Sequence, residues 1–436
     1  MLYTAYELGH TALTPFRAAA ELSAQFWKSP FNPAANNWIG RTAAASLDLF
    51  ESMTRRYGKP EWGFDSVEIN GVDVPVTIEI VRRKCFGNLI HFRRDEAALA
   101  RAHKADEAPV QPRVMIVAPM SGHYATLLRG TVLQMMLEHD VYITDWADAR
   151  NVPLAAGRFD LNDFIDYLID FMGVIGPKAH TMAVCQPGPP LLAAIAHMSA
   201  TDDPNLPSTM TFMGSPIDAR KSPTVTNLLA EEQPFEWFEQ NMIQTVPAPY
   251  AGFLRRVYPG FLQLMSFMSM NSERHVDAHY EYFQNLVKGD DESADRHATF
   301  YDEYLSVCDM TEEFYLQTIR DVFQEYRLPT GLLIHQGETV RPDLITDVAL
   351  MTVEGELDDI SGIGQTQAAH DLCTGIPAED KIDYVQPGVG HYGVFNGSKW
   401  RDQIQPKLAG FIKAHFDEAQ EKEFLKDKSA AAIAAE

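Results

Sequence analysis

The chain has 436 residues, 46% of them hydrophobic and 22% charged, an ordinary globular composition with enough material for a large core. Its 60 acidic against 36 basic side chains give a formal net charge of -24. That charge is repelled by phosphate backbones and anionic bilayers, which argues against a nucleic-acid partner. No run of about 18 apolar residues offers a membrane span, and charges at Glu7, Arg17 and Glu21 interrupt the N-terminal stretch where a signal peptide would be apolar. Cys85, Cys185, Cys308 and Cys373 lack paired spacing, which fits a reducing cytoplasm and offers neither a disulfide framework nor a zinc signature. No metal or cofactor is expected.

In chain order, residues 1–57 read as helices. Ala18–Leu22 and Thr42–Phe50 combine strong helix formers with apolar spacing near 3.6. Between them Phe26 to Pro33 form an aromatic loop broken by two prolines, suited either to packing on the parent domain or to contact with a hydrophobic surface. Residues 64–92 alternate around Asn70-Gly71, which predicts a β-hairpin at a sheet edge. Arg93 to Pro112 is charged, alanine-rich and expected to be a flexible connection.

From Arg113 the rhythm becomes strand, helix, strand. Val114–Ala118, Val141–Thr144, Thr181–Val184 and Thr209–Met213 are short apolar runs of the kind buried on both faces. Residues 218–330 break this rhythm with a helical stretch rich in aromatics and methionine, too long for a connection. The rhythm returns with strands at Ala349–Val353 and Lys381–Val385 and a closing helix over Trp400–Phe416. The expected fold is therefore α/β, with a mainly parallel central sheet. The expected units are an N-terminal helical arm (1–62), an α/β core in two parts (63–217 and 331–416), an inserted helical cap (218–330) and a C-terminal tail with little to bury (417–436).

Three strand ends carry candidate chemistry. Val184-Cys185-Gln186-Pro187-Gly188 lies between a strand and a helix-like run, the setting of a nucleophile elbow, although the usual pattern is G-x-S-x-G and neither glycine is in place. Alone, it also fits a buried free cysteine at a strand end. Asp358 follows one later strand, completing G-x-x-D, and His391 follows the other between two glycines. The order nucleophile, acid, histidine is that of an α/β-hydrolase triad. A thiol needs an imidazole to take its proton, and the carboxylate fixes the imidazole's tautomer. Asp359, next to the acid, is expected to face solvent or be structural. The oxyanion donors are expected at the backbone N–H of Gln186 and at Met120 or Ser121 in the loop after the strand 114–118. His123 and Asp145 are candidates for supporting the site or for purely structural roles.

Together Val184-Cys185-Gln186-Pro187, Leu128-Arg-Gly-Thr-Val132, Asp145-Trp-Ala-Asp-Ala-Arg150, Val353-Glu-Gly-Glu-Leu-Asp-Asp-Ile-Ser361 and Gly390-His-Tyr-Gly393 resemble the intracellular polyhydroxybutyrate depolymerases. The likeness runs from about residue 1 to 416. It implies an α/β-hydrolase fold with a cap, a Cys-Asp-His triad at Cys185, Asp358 and His391, and hydrolysis of amorphous storage polyester to 3-hydroxybutyrate or oligomers. It further implies a cytoplasmic enzyme attached to polyester granules. The related polyhydroxyalkanoate synthases have an elbow resembling G-x-C-x-G-G, where this chain has Pro187-Gly188. Polymerisation from hydroxyacyl-coenzyme A is the alternative activity, and a non-catalytic granule protein the alternative of another class. Coenzyme A in place of water as acceptor, and a homo-oligomer, stay open.

Overall fold

The computed structural model describes residues 2–270 and 272–435; the outermost residues of the arm and of the tail, 1 and 436, lie outside the described residues. One sheet of nine strands organises the chain. Its strands are β1 (Ser66–Ile69), β2 (Val72–Arg83), β3 (Gly87–Arg94), β4 (Arg113–Val117), β5 (Asp140–Trp146), β6 (His180–Val184), β7 (Thr209–Met213), β8 (Ala349–Gly355) and β9 (Lys381–Gln386). They lie in the order β1-β2-β3-β5-β4-β6-β7-β8-β9. The six from β5 to β9 are parallel, and β1, β2 and β3 extend the sheet as antiparallel neighbours.

The physical reason is visible in the sequence. β4, β6, β7 and β8 are buried along their whole length, and only near-continuous apolar runs survive between two helical layers. The helix Leu161–Ile175 starts at a reciprocal cap between Asp160 and Asp163 and buries Phe164, Leu168 and Phe171 on one face. The helix Gly188–Ala200 leaves the end of β6 and is apolar almost all round, because it is covered on every side.

The edge differs from the expected hairpin by one strand. β3 pairs with β2 and also with β5, so residues 66–94 join the main sheet as a three-stranded extension. The expected flexible connection at Arg93 to Pro112 holds a short helix, Glu96–Ala102. Asp95 caps its Ala98 N–H, and Ala98, Leu99 and Ala102 are buried. Alanine and leucine supply helix propensity there, and the surrounding charges obscured it.

The N-terminal arm is a pair of packed helices, α1 (Leu2–Lys28) and α2 (Trp38–Thr54). Tyr3 of α1 is buried and donates to Asp309 Oδ2 at 2.6 Å, while Tyr6 stacks on Phe261. Between β7 and β8 the chain leaves the sheet for residues 214–348. It forms helices including Gly260–Met270, Asp291–Tyr304 and Glu312–Thr318, and a small three-stranded sheet. After β9 a helix over Gln405–Ala414 packs beneath the sheet. The tail continues as helix Glu418–Ala435, anchored where the expectation had little to bury: Glu421 and Arg113 form a buried ion pair at 2.5 Å, with Phe424 against the guanidinium. A single buried charge pair leaves no trace in hydropathy, which is why this contact was not foreseen.

Candidate active site

Cys185 stands between the end of β6 and the helix Gly188–Ala200. Its backbone has φ +65°, a left-handed conformation that non-glycine residues rarely adopt, and the Cys185 N–H donates to Met213 O at 2.8 Å. This is the strained turn that a nucleophile elbow requires. The missing glycines are accommodated. Pro187 sits at φ -67°, natural for proline, and opens the helix where its absent N–H would have had no partner. The tight approach falls one residue later: a Cβ on Gly188 would lie 2.4 Å from Ser215 Cβ.

The acid and the histidine converge on the same strand ends. Asp358 follows β8, and its side chain is fully buried. Its Oδ1 accepts from the Ile360 and Ser361 N–H groups at 2.9 and 2.8 Å, leaving Oδ2 to accept from His391 Nδ1 at 2.8 Å. Asp359 is exposed. The loop after Asp358 is held from below by Glu354, a residue the sequence reading did not single out. Its buried carboxylate accepts from the N–H groups of Gly364, Thr366 and Gln367. His391 follows β9 on a short turn and is buried. With Nδ1 committed to Asp358, Nε2 is the nitrogen left for Cys185.

Burial pulls the His391 pKa down. The Cys185 sulfur and the Asp358 carboxylate outweigh it and hold the imidazolium well above its ordinary range. Space for this pair is made by a strand that contributes no group of its own. β7 is followed by Gly214, at φ +55°, where a Cβ would lie 3.1 Å from His391 Cε1 and 3.2 Å from Asp358 Oδ2.

Cys185, Gln186, Met120, Ser121, His123 and His391 line one cavity of about 250 Å³. Its upper wall is apolar and comes from residues 214–348, including Phe238, Met242, Phe267, Phe314 and Phe323. The Gln186 backbone N–H has no protein acceptor among the described residues. The Met120 N–H donates to Gln186 Oε1 at 3.3 Å. His123 is turned to the cavity's edge. Its Nε2 donates to Tyr304 O at 3.0 Å, and burial lowers its pKa to about 4, so it ties residues 214–348 to the core as a neutral ring. Asp145 is not part of the site. It accepts from Lys59 Nζ at 2.6 Å and does not line the cavity, because β5 is separated from β6 by β4.

A parallel sheet, a strained cysteine turn after its central strand, and an acid and histidine on two later strand ends make this an α/β-hydrolase fold. Residues 214–416, from the end of β7 to the close of the last core helix, match the family described as PHB de-polymerase C-terminus. The chain is a carboxylic ester hydrolase, and the matched stretch holds both Asp358 and His391, while Cys185 precedes it. No curated protein matches the chain. Among solved structures, a soluble variant of monoglyceride lipase from Saccharomyces cerevisiae is similar at 11% identity and a TM-score of 0.45, covering 83% of this chain and all of its own. A putative non-heme bromoperoxidase from Mycobacterium tuberculosis H37Rv is similar at 14% identity and a TM-score of 0.43, covering 72% and 96%. A putative lipase from Acinetobacter baumannii AYE has 10% identity and a TM-score of 0.39, covering 78% and 93%.

Proposed function

We propose that the chain is an intracellular depolymerase that cleaves the ester bonds of amorphous poly(3-hydroxybutyrate) through an acyl-enzyme on Cys185. The observation that carries this reading is the juxtaposition at the cavity floor: Cys185 on its left-handed turn beside a His391 whose Nδ1 is held by Asp358 at 2.8 Å.

Cys185 Sγ attacks the ester carbonyl carbon, and the carbonyl π electrons move onto the oxygen. The N–H groups of Gln186 and Met120 receive that oxyanion, and each such donor is worth roughly 10²–10³ in kcat. Collapse expels the alkoxide end of the polymer, which takes the proton from His391 Nε2. Water then attacks the thioester as His391 removes its proton. The C–S bond breaks, giving the free acid and restoring the thiolate–imidazolium pair. Asp358 keeps Nδ1 protonated throughout. Coenzyme A thiol can replace water at the second step, giving a thioester product.

A polyester substrate is also consistent with the apolar cavity wall and with the arm. Helix α1 carries Glu7 and Glu21 against Arg17 and Lys28, so it is neutral in a chain of net charge -24. The arm exposes Phe16, Phe26, Phe31 and Trp38, the last two at 94% and 73%. Such a face suits a neutral, apolar granule. The test is release of 3-hydroxybutyrate from amorphous granules, with and without coenzyme A, by the wild type and by Cys185→Ala. Loss of release in the variant is expected, and full activity in it would sink the mechanism. The mass of the product identifies the acceptor.

A further inference from the structure

The residue after the nucleophile is usually considered for its backbone. Here its side chain reaches one of the groups assigned to the oxyanion pocket. The Met120 N–H, one of the two donors proposed for the oxyanion, donates to a protein acceptor, Gln186 Oε1 at 3.3 Å. The orientation of the amide follows from chemistry, since an N–H can only face the oxygen end. The other end, Nε2, is buried without a hydrogen-bond partner among the described residues. A side-chain amide in a relaxed structural role satisfies both ends. This one satisfies Met120 and leaves its own donor idle.

We propose that the Gln186 side chain is a plug in the oxyanion pocket: a surrogate carbonyl that holds the Met120 N–H until the ester carbonyl displaces it. Met120 is buried, and an N–H there with nothing to accept it would be destabilising. The plug prevents that, at the expense of competing with substrate for one of the two donors. The competing bond is neutral and, at 3.3 Å, just longer than the normal range, so displacement is easy and the acylation step is only modestly slowed. Gln186 is thus a positioning residue through its side chain, separate from the role of its backbone N–H. The proposal rests on the acyl-enzyme reading of Cys185.

Two substitutions of nearly equal volume separate a plug from a spacer. Gln186→Met keeps the length and removes the acceptor. Gln186→Glu keeps the length and turns the acceptor into an anion beside the site where the oxyanion forms. Both leave the backbone N–H in place. The measurement is the pre-steady-state acylation rate constant on p-nitrophenyl butyrate, a soluble ester that needs no granule, with Cys185→Ala as the reference.

The plug predicts opposite signs. Gln186→Met should accelerate acylation about two- to tenfold, the equilibrium value of one neutral hydrogen bond. Gln186→Glu should slow it by at least about tenfold, since hydrogen bonds to a charged acceptor are roughly twice as strong. The two variants moving down together, or neither moving by about twofold, would overturn the plug while leaving Cys185 as nucleophile. Ester release that persists in Cys185→Ala would instead overturn the acyl-enzyme reading, and the plug with it.

Discussion

Replacing Gly214 by alanine should damage the site without touching any group that does chemistry. The added Cβ would lie 3.1 Å from His391 Cε1 and 3.2 Å from both Asp358 Oδ2 and His391 Nδ1. Comfortable non-bonded contacts begin at about 3.5 Å, so the ring and carboxylate must retreat by about 0.3–0.4 Å. Both are buried, and Asp358 is tethered through Oδ1 to two backbone N–H groups. The imidazole therefore moves more than the carboxylate, and its Nε2 shifts relative to Cys185. A misplacement of 1 Å can cost about 10²-fold in rate, which scales to about four- to sixfold in kcat for this shift. The left-handed backbone adds about 1–2 kcal/mol, and crowding adds about 1–3 kcal/mol. The assay pairs steady-state kinetics on a soluble ester with urea unfolding. A folded variant that loses stability yet keeps kcat within about twofold of wild type would refute the argument that Gly214 exists to make room for the Asp358–His391 pair.

Two further outcomes concern charge. In Cys185→Ala, the His391 imidazole should titrate at lower pH than in the wild type, because burial then opposes the charged ring with only Asp358 to support it; NMR of the ring protons reads this directly, and an unmoved titration would mean that the sulfur is not the imidazolium's partner. At the arm anchor, burial and the neighbouring Asp148 charge raise the Asp309 pKa from 3.8 to about 7, against the opposing pull of Arg150. The folded state then holds a proton that the unfolded state has released, so this group's contribution to stability is full below about pH 4, falls between about pH 4 and 7, and is flat above. Unfolding free energy in Asp309→Asn should slope less steeply across that window than in the wild type, and an equal slope would exclude Asp309 as its source.

Much of the candidate site was legible in the sequence because each member follows a strand. Buried apolar runs mark the positions of Cys185 and Asp358, while His391 follows the partly exposed edge strand β9 and was marked by its flanking glycines and by chain order. What escaped was set by contacts across the fold. Asp145 ends a strand just as Cys185 does, and only the strand order, which puts β4 between β5 and β6, separates it from the cavity. His123 lies in the loop expected to face the site, yet its ring is claimed by Tyr304, 181 residues away. Nothing in the sequence singles out Gly214, because the value of a missing side chain depends on neighbours brought in from residues 358 and 391. Glu354 hid inside an apolar strand, where nothing local announces the three N–H groups it receives. The third edge strand and the helix 96–102 were missed for a different reason: charged flanks diluted short local signals that tertiary packing then reinforced.

The hydrogen bond from Tyr3 to Asp309 spans 306 residues. At translation rates of about 5–20 residues per second, the wait between making the first partner and the second is about 15–60 s. For most of that interval helix α1 has neither Asp309 nor Phe261 to settle against. It must stay in the company of α2 alone, with its aromatic side chains uncovered, while the sheet assembles behind it. This segment therefore waits for partners made much later in the chain, and in a crowded cell it stays open in the meantime to capture by a chaperone or by another apolar surface.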